Sequence, residues 1–98
     1  MIFPAPYYGI NYAIQVGTDG PIKIGYSGAR AEGRLSELQR LSPWKMHIIA
    51  QWPGDMLTEK ALHIELGAFR IRSEWFYPTP TVLAAIEARV KASREKAA

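Results

Sequence analysis

A strand-period run broken by a tight-turn signal dictates a β-hairpin near the start of this chain. Tyr12, Ile14 and Val16 alternate with Ala13 and Gln15, the pattern of a strand. Gly17-Thr18-Asp19-Gly20 follows, and Asp-Gly favours a hairpin turn. Ile22 and Ile24 then alternate with Lys23 and Gly25 on a return strand that ends at Tyr26. A lone hairpin is marginal in water, so this one needs further strands and a helix layer over it.

The rest of the chain supplies them. After Ser27-Gly28 a helix is predicted from about Ala31 to Leu41, with Ala31, Leu35 and Leu38 on one face and Pro43 beyond its end. Trp44 to Trp52 reads as a third strand with Met46, Ile48, Ala50 and Trp52 on one side. Pro53-Gly54 turns the chain, and Asp55 suits the cap of a second helix running to about Phe69 and burying Leu62, Leu66 and Phe69. Glu74-Trp75-Phe76 is short and extended. Thr79-Pro80 starts a last helix that docks through Leu83, Ile86 and Val90. The expected class is α/β of the α+β kind. A small three-stranded antiparallel sheet contains the hairpin, and helices flank it. Residues 1–98 form one domain, with a core over about residues 10–90.

Composition narrows the function classes. With 98 residues, nearly half of them apolar, the chain can build a real core. The absence of cysteine excludes disulfide scaffolds and thiolate metal sites, and it fits a reducing, cytoplasmic setting. No apolar run approaches membrane-spanning length, and Met1-Ile2-Phe3-Pro4-Ala5-Pro6 does not read as a signal peptide. The formal charge is +3, and part of it lies in the basic helix end at residues 87–98. That end is as well explained by cations near a helix C-terminus as by a polyanionic partner.

Several residues could carry chemistry. Glu59 and His63 share a helix face, and Arg70 would fall roughly 20° from Glu59 if the helix reached that far. A carboxylate there is a hard donor suited to Mg²⁺ or Mn²⁺, although a solvated Glu–His face is the commoner meaning. Arg34 lies beside the apolar stripe of the first helix, where its fork could grip a phosphate. Arg30 and Arg40 compete for that role. Tyr12 and Tyr26 are the hairpin phenols. Lys23 interrupts an apolar strand next to Gly25, where another group can approach closely. There is no P-loop, paired-His motif or nucleophile elbow.

In order, these pieces resemble the GIY-YIG nuclease superfamily over about residues 10–80. Tyr12 is followed eleven residues on by Lys23-Ile24-Gly25. Then come Arg34-Leu35-Ser36-Glu37-Leu38-Gln39, Glu59-Lys60-Ala61-Leu62-His63 and Glu74-Trp75-Phe76. They are similar to the phage and bacterial branch whose second motif reads K-I-G and which carries a late E-W-F. The resemblance implies a metal-dependent endonuclease. It assigns Tyr12 as the first-motif tyrosine, Arg34 as the phosphate ligand and Glu59 as the metal ligand. The chain departs from the pattern where Asn11 separates Ile10 from Tyr12, where Lys23 replaces the second tyrosine, and where Tyr26 takes a position often held by lysine. The usual late asparagine is missing.

The expected reaction is hydrolysis of a nucleic-acid phosphodiester, with DNA ahead of RNA as substrate. Mg²⁺ or Mn²⁺ would sit on Glu59, Arg34 would hold the phosphate, and Tyr12 would be the general base supported by Lys23 and His63. A free phenol ionises near pH 10, so this base needs cations beside it. Tyr26 and His63 are rival bases. Glu74 is expected to lie away from Tyr12 and Arg34. A nucleic-acid-binding module without catalysis and a protein-interaction domain are the alternatives.

Overall fold

A computed structural model describes residues 9–97, so the reading of Met1 to Pro6 lies outside the described residues. The hairpin forms as the alternation requires: β1 (Ile10–Val16) pairs antiparallel with β2 (Ile22–Ser27). Gly17 makes the turn at φ 61°, a left-handed conformation that glycine adopts without a Cβ penalty. After β2 come α1 (Ala31–Arg40), β3 (Met46–Pro53), α2 (Met56–Glu65), a 3₁₀ turn at Gly67–Phe69, β4 (Arg70–Arg72), β5 (Trp75–Phe76) and α3 (Pro80–Ala97).

The sheet has five strands in the order β3-β1-β2-β5-β4, where alternation predicts three. The two extra strands are three and two residues long, too short to display a period. They form a tight hairpin in which Ser73 is left-handed at φ 52°. Phe76 anchors it by burying its ring completely in the core. The second helix stops at Glu65 and not at Phe69, so Arg70 belongs to β4. Its guanidinium lies over the Phe76 ring, off any helical stripe with Glu59.

Both faces of the sheet are covered. Tyr12, Ile14, Ala31 and Met46 pack on the α1 side, with Leu35 and Leu38 against them. Ala13, Ile24, Trp52, Leu62, Phe76 and Val82 form the larger core, packed with α2 and α3. A bulge divides β3 between the two. Ala13 pairs with Ala50, but Ile14 pairs with Ile48, leaving Ile49 as the extra residue. Met46 and Ile48 therefore join one face while Ala50 and Trp52 join the other, which corrects the single-sided reading of this strand. In α3 Val82 and Ile86 are buried and Val90 packs against the same core as expected, but Leu83 is exposed. The Thr79 hydroxyl accepts from the Val82 N–H, as a cap should.

The entry to α2 is fixed on both sides. The Asp55 carboxylate accepts from the Thr58 N–H at 2.9 Å, and the Thr58 hydroxyl accepts from the Asp55 N–H at 2.8 Å. The bond from the Thr58 N–H holds the Asp55 carboxyl below its ordinary pKa. Buried Asn11 ties this cap to β1: its amide donates to the Asp55 carbonyl, and its oxygen accepts from the Thr58 hydroxyl. The residue that interrupts the Gly-Ile-Tyr motif thus sets the position of α2 against the sheet.

Candidate functional site

β5 is so short that it covers β2 only at Ile22 and Lys23. Among the described residues, no strand pairs with this edge of β2 from Gly25 onward, and side chains from both faces converge around it. Tyr12, Lys23, Tyr26, Arg34 and Glu74 line one pocket of about 350 Å³, with Glu37 and Leu38 in its wall. Four of the residues singled out in the sequence therefore meet here. Tyr12 and Lys23 come from the α1 face of the hairpin. Tyr26 leaves β2 with the register of Ile24, from the opposite face.

Two glycines make the arrangement possible. Gly25 lies directly across from Tyr12, and a Cβ on it would collide with the Tyr12 hydroxyl and its ring carbon. Gly9 does the same for Tyr26, whose ring occupies the space of a Gly9 side chain. Each phenol is laid over a bare backbone. Tyr12 is only 2% exposed overall, yet its hydroxyl accepts from the Lys23 ammonium at 3.1 Å and borders the pocket.

The same ammonium donates to the Glu74 carboxylate. This corrects the expectation that Glu74 stands apart. Its backbone carbonyl accepts from the Ile24 N–H at 2.9 Å, so the tight β4–β5 turn delivers its side chain to Lys23. Burial alone would lower the Lys23 pKa, but the bonds to Glu74 and Tyr12 outweigh it and raise the net value. Lys23 is thus a firmly charged strut between a phenol and a carboxylate. Trp75 is Lys23's register partner, but a two-residue strand is too short for the sequence to announce that pairing, so the place of Glu74 has no sequence signal. Asn11 was missed for a similar reason, because its partners lie 44 and 47 residues away.

Arg34 projects from α1 into this pocket, with its guanidinium 3.2 Å from the Glu37 carboxylate one turn on. Both are well exposed, so the pair is weak and open to exchange for a stronger anion. Arg40 lies two turns further along α1 and outside the pocket.

Glu59 occupies the first turn of α2 and is buried to 8% exposure. Desolvation raises its carboxyl pKa, and the nearby charge of Glu74 adds to the rise, against the pull of His63 and Lys23. It does not line the pocket, and its coupling to Glu74 and Lys23 acts through space. His63, one turn later, bonds its Nε2 to the Ile24 carbonyl at 2.8 Å and packs against Phe76. A carbonyl only accepts, so Nε2 carries the proton. His63 thus ties α2 to β2 at Ile24 and does not line the pocket.

Among the described residues, no three His, Asp or Glu side chains gather as a metal site. The available donors are two carboxylates, Glu59 and Glu74, coupled through space and without imidazole help. Hard oxygen donors in small number suit Mg²⁺ or Mn²⁺, which keep several waters, and do not suit Zn²⁺. A divalent cation would also offset the repulsion between Glu59 and Glu74, so the donor set fits such an ion.

A family model matches residues 9–92, the span that holds every one of these side chains. The chain belongs to the T5orf172 domain family. T5orf172 domains occur in phage proteins and are associated with nucleases of the GIY-YIG-like and HNH kinds, which links this one to a nuclease or nucleic-acid-related function. No curated protein and no solved structure matches the chain. Among the described residues, no helix of this T5orf172 domain is long and apolar enough to cross a membrane.

Proposed function

We propose that this domain is a metal-dependent endonuclease of the GIY-YIG type, hydrolysing phosphodiester bonds of nucleic acid, with DNA as the favoured substrate. The observation that carries this reading is the meeting of Tyr12, Lys23, Tyr26 and Arg34 in one pocket, with Glu59 electrostatically coupled to it. Arg34 exchanges its exposed bond to Glu37 for a bidentate grip on the phosphate, offsetting the charge that develops on its oxygens. Tyr12, in its phenolate form, takes a proton from the attacking water. Lys23 holds that oxygen in place and compensates its charge from 3.1 Å. Tyr26, on the opposite wall, orients the water or a non-bridging oxygen. Water's oxygen forms the new P–O bond, the bond to the leaving oxygen breaks, and that oxygen takes up a proton from solvent. Glu59, with Glu74 at hand, would hold a divalent cation, which when bound would supply Lewis-acid polarisation of the phosphate.

A binding module without turnover is the second reading, favoured by one observation. Both pocket cations, Lys23 and Arg34, already have carboxylate partners. Incubating the protein with mixed DNA and RNA under Mg²⁺, Mn²⁺ or excess chelator separates the two. Metal-dependent fragments support the nuclease. Salt-sensitive binding with no fragments under any metal supports the module.

A further inference from the structure

The reacting pocket does not end at Arg34. Arg34 and Glu37 also border a second cleft, floored by Gly28 and Gly33 and flanked by Arg30. Gly33 and Glu37 in turn border a third, which continues past Ser36 to Gln39 and Arg40. Three clefts that share their walls make one groove along α1. Helical geometry makes that groove about 15 Å long. Gly33 keeps it open: it is the one glycine inside α1, and nothing stands within 4 Å of where its Cβ would be. A mid-helix glycine costs about 1 kcal/mol relative to alanine, so this position lowers the helix's own stability.

The groove's far end meets a braced loop. Gln39 donates to the Trp44 carbonyl at 2.9 Å and accepts from the Met46 N–H at 2.8 Å. The Ser42 hydroxyl accepts from the Trp44 N–H at 3.0 Å and donates to the Trp44 carbonyl. Four hydrogen bonds thus fix a loop whose tryptophan is 67% exposed. Folding does not need that ring, because Trp52 and Phe76 fill the core. The charge along the groove is cationic at Arg30, Arg34 and Arg40. Its lining carboxylates, Glu37 and Glu74, are paired with Arg34 and Lys23, and Arg40 has no ion pair among the described residues.

We infer that α1 and the Trp44 loop form an extended track for a nucleic-acid strand. Arg40 contacts a phosphate remote from the scissile one, and Trp44 stacks on an unpaired base. The inference deepens the nuclease reading by naming the substrate: a strand with at least one unstacked base a helix length from the cut. A braced, largely exposed aromatic with a cation four residues before it is the pattern that holds single strands.

The test is binding of fluorescein-labelled single-stranded and duplex oligonucleotides, followed by anisotropy in chelator so that no cleavage intrudes. Trp44→Ala weakens single-strand binding by about tenfold or more, while Trp44→Phe keeps most of it and both variants melt with the parent. Arg40→Ala lowers the slope of log affinity against log salt by about one. Single-strand binding unchanged in Trp44→Ala, or an equal loss on intact duplex, overturns the proposal. Because the readout needs no turnover, it stands or falls separately from catalysis. Absence of cleavage with these effects intact sinks the nuclease and leaves the track. Cleavage with Trp44→Ala binding like the parent does the reverse.

Discussion

The hydroxyl of Tyr12 stands where a side chain on Gly25 would have to be. The two residues face each other across β1 and β2, so neither can move without shifting the hairpin. The Tyr12 ring is also packed with Ile14, Ala31 and Met46. Gly25→Ala should therefore destabilise the fold by about 1–3 kcal/mol through overpacking. It should also break the Tyr12–Lys23 bond. Urea melts read the first effect and initial cleavage rates the second. A variant that melts and cleaves like the parent would mean that the ring yields at no cost.

Glu59 should separate stability from activity. Its carboxyl pKa is raised in the fold above the ordinary 4.5, so the folded chain binds more protons than the unfolded one through that range. That contribution favours the fold below the unfolded pKa and is lost as pH rises through the folded value. At neutral pH the ionised carboxylate is a cost. Glu59→Gln should then melt at or above the parent's temperature at pH 7, with the gap closing as pH falls toward 4.5. Cleavage should vanish in the same variant. Mg²⁺ should raise the melting temperature of the parent and leave the variant's unchanged. A variant that loses stability at pH 7 while still responding to Mg²⁺ would remove Glu59 from the metal site.

The two α1 arginines should differ in kind. Arg34 borders the reacting pocket, so Arg34→Ala should lower kcat by about 10²-fold or more. Arg40 borders only the far end of the groove, so Arg40→Ala should raise KM with kcat nearly unchanged. Matching losses of kcat in both would point to diffuse electrostatics.

How far this layout can be read from the residues depends on chain distance. The hairpin, α1, the Asp55 cap and the Thr79 start of α3 are local events, each carried by a few neighbouring residues, and each forms as the pattern implies. The β3 bulge at Ile49 is not local. It depends on what β1 presents, and both faces of β3 are apolar enough to permit either register. The β4–β5 hairpin is invisible for another reason. The buried Phe76, the left-handed Ser73 and the bonds from β2 to Glu74 hold it, and none of these has a period. The site divides the same way. Tyr12, Lys23 and Arg34 stand out as polar residues interrupting or flanking apolar patterns. Glu74 reaches Lys23 across 51 residues, through a strand too short to foresee.

The identity of the base gives the sharpest prediction. Tyr12 and Tyr26 both border the pocket, but only Tyr12 accepts a hydrogen bond from Lys23. Tyr12→Phe removes the proton acceptor while Lys23 keeps Glu74, so stability should fall by no more than about 0.5–1.5 kcal/mol. Turnover should fall by about 10²–10⁴-fold, the usual worth of a positioned base. Tyr26→Phe, which leaves that pair untouched, should lose less than about tenfold. His63→Ala should act on the fold instead. It leaves the Ile24 carbonyl without its donor and Phe76 without its neighbour, so it should cost about 1–3 kcal/mol while the folded fraction still cleaves. Rates paired with melts on the three variants decide the matter. A larger loss in Tyr26→Phe than in Tyr12→Phe transfers the role to Tyr26. Active Phe variants beside a well-folded but inactive His63→Ala would mean that no phenol is the base, and that Nδ1 of His63 takes the proton.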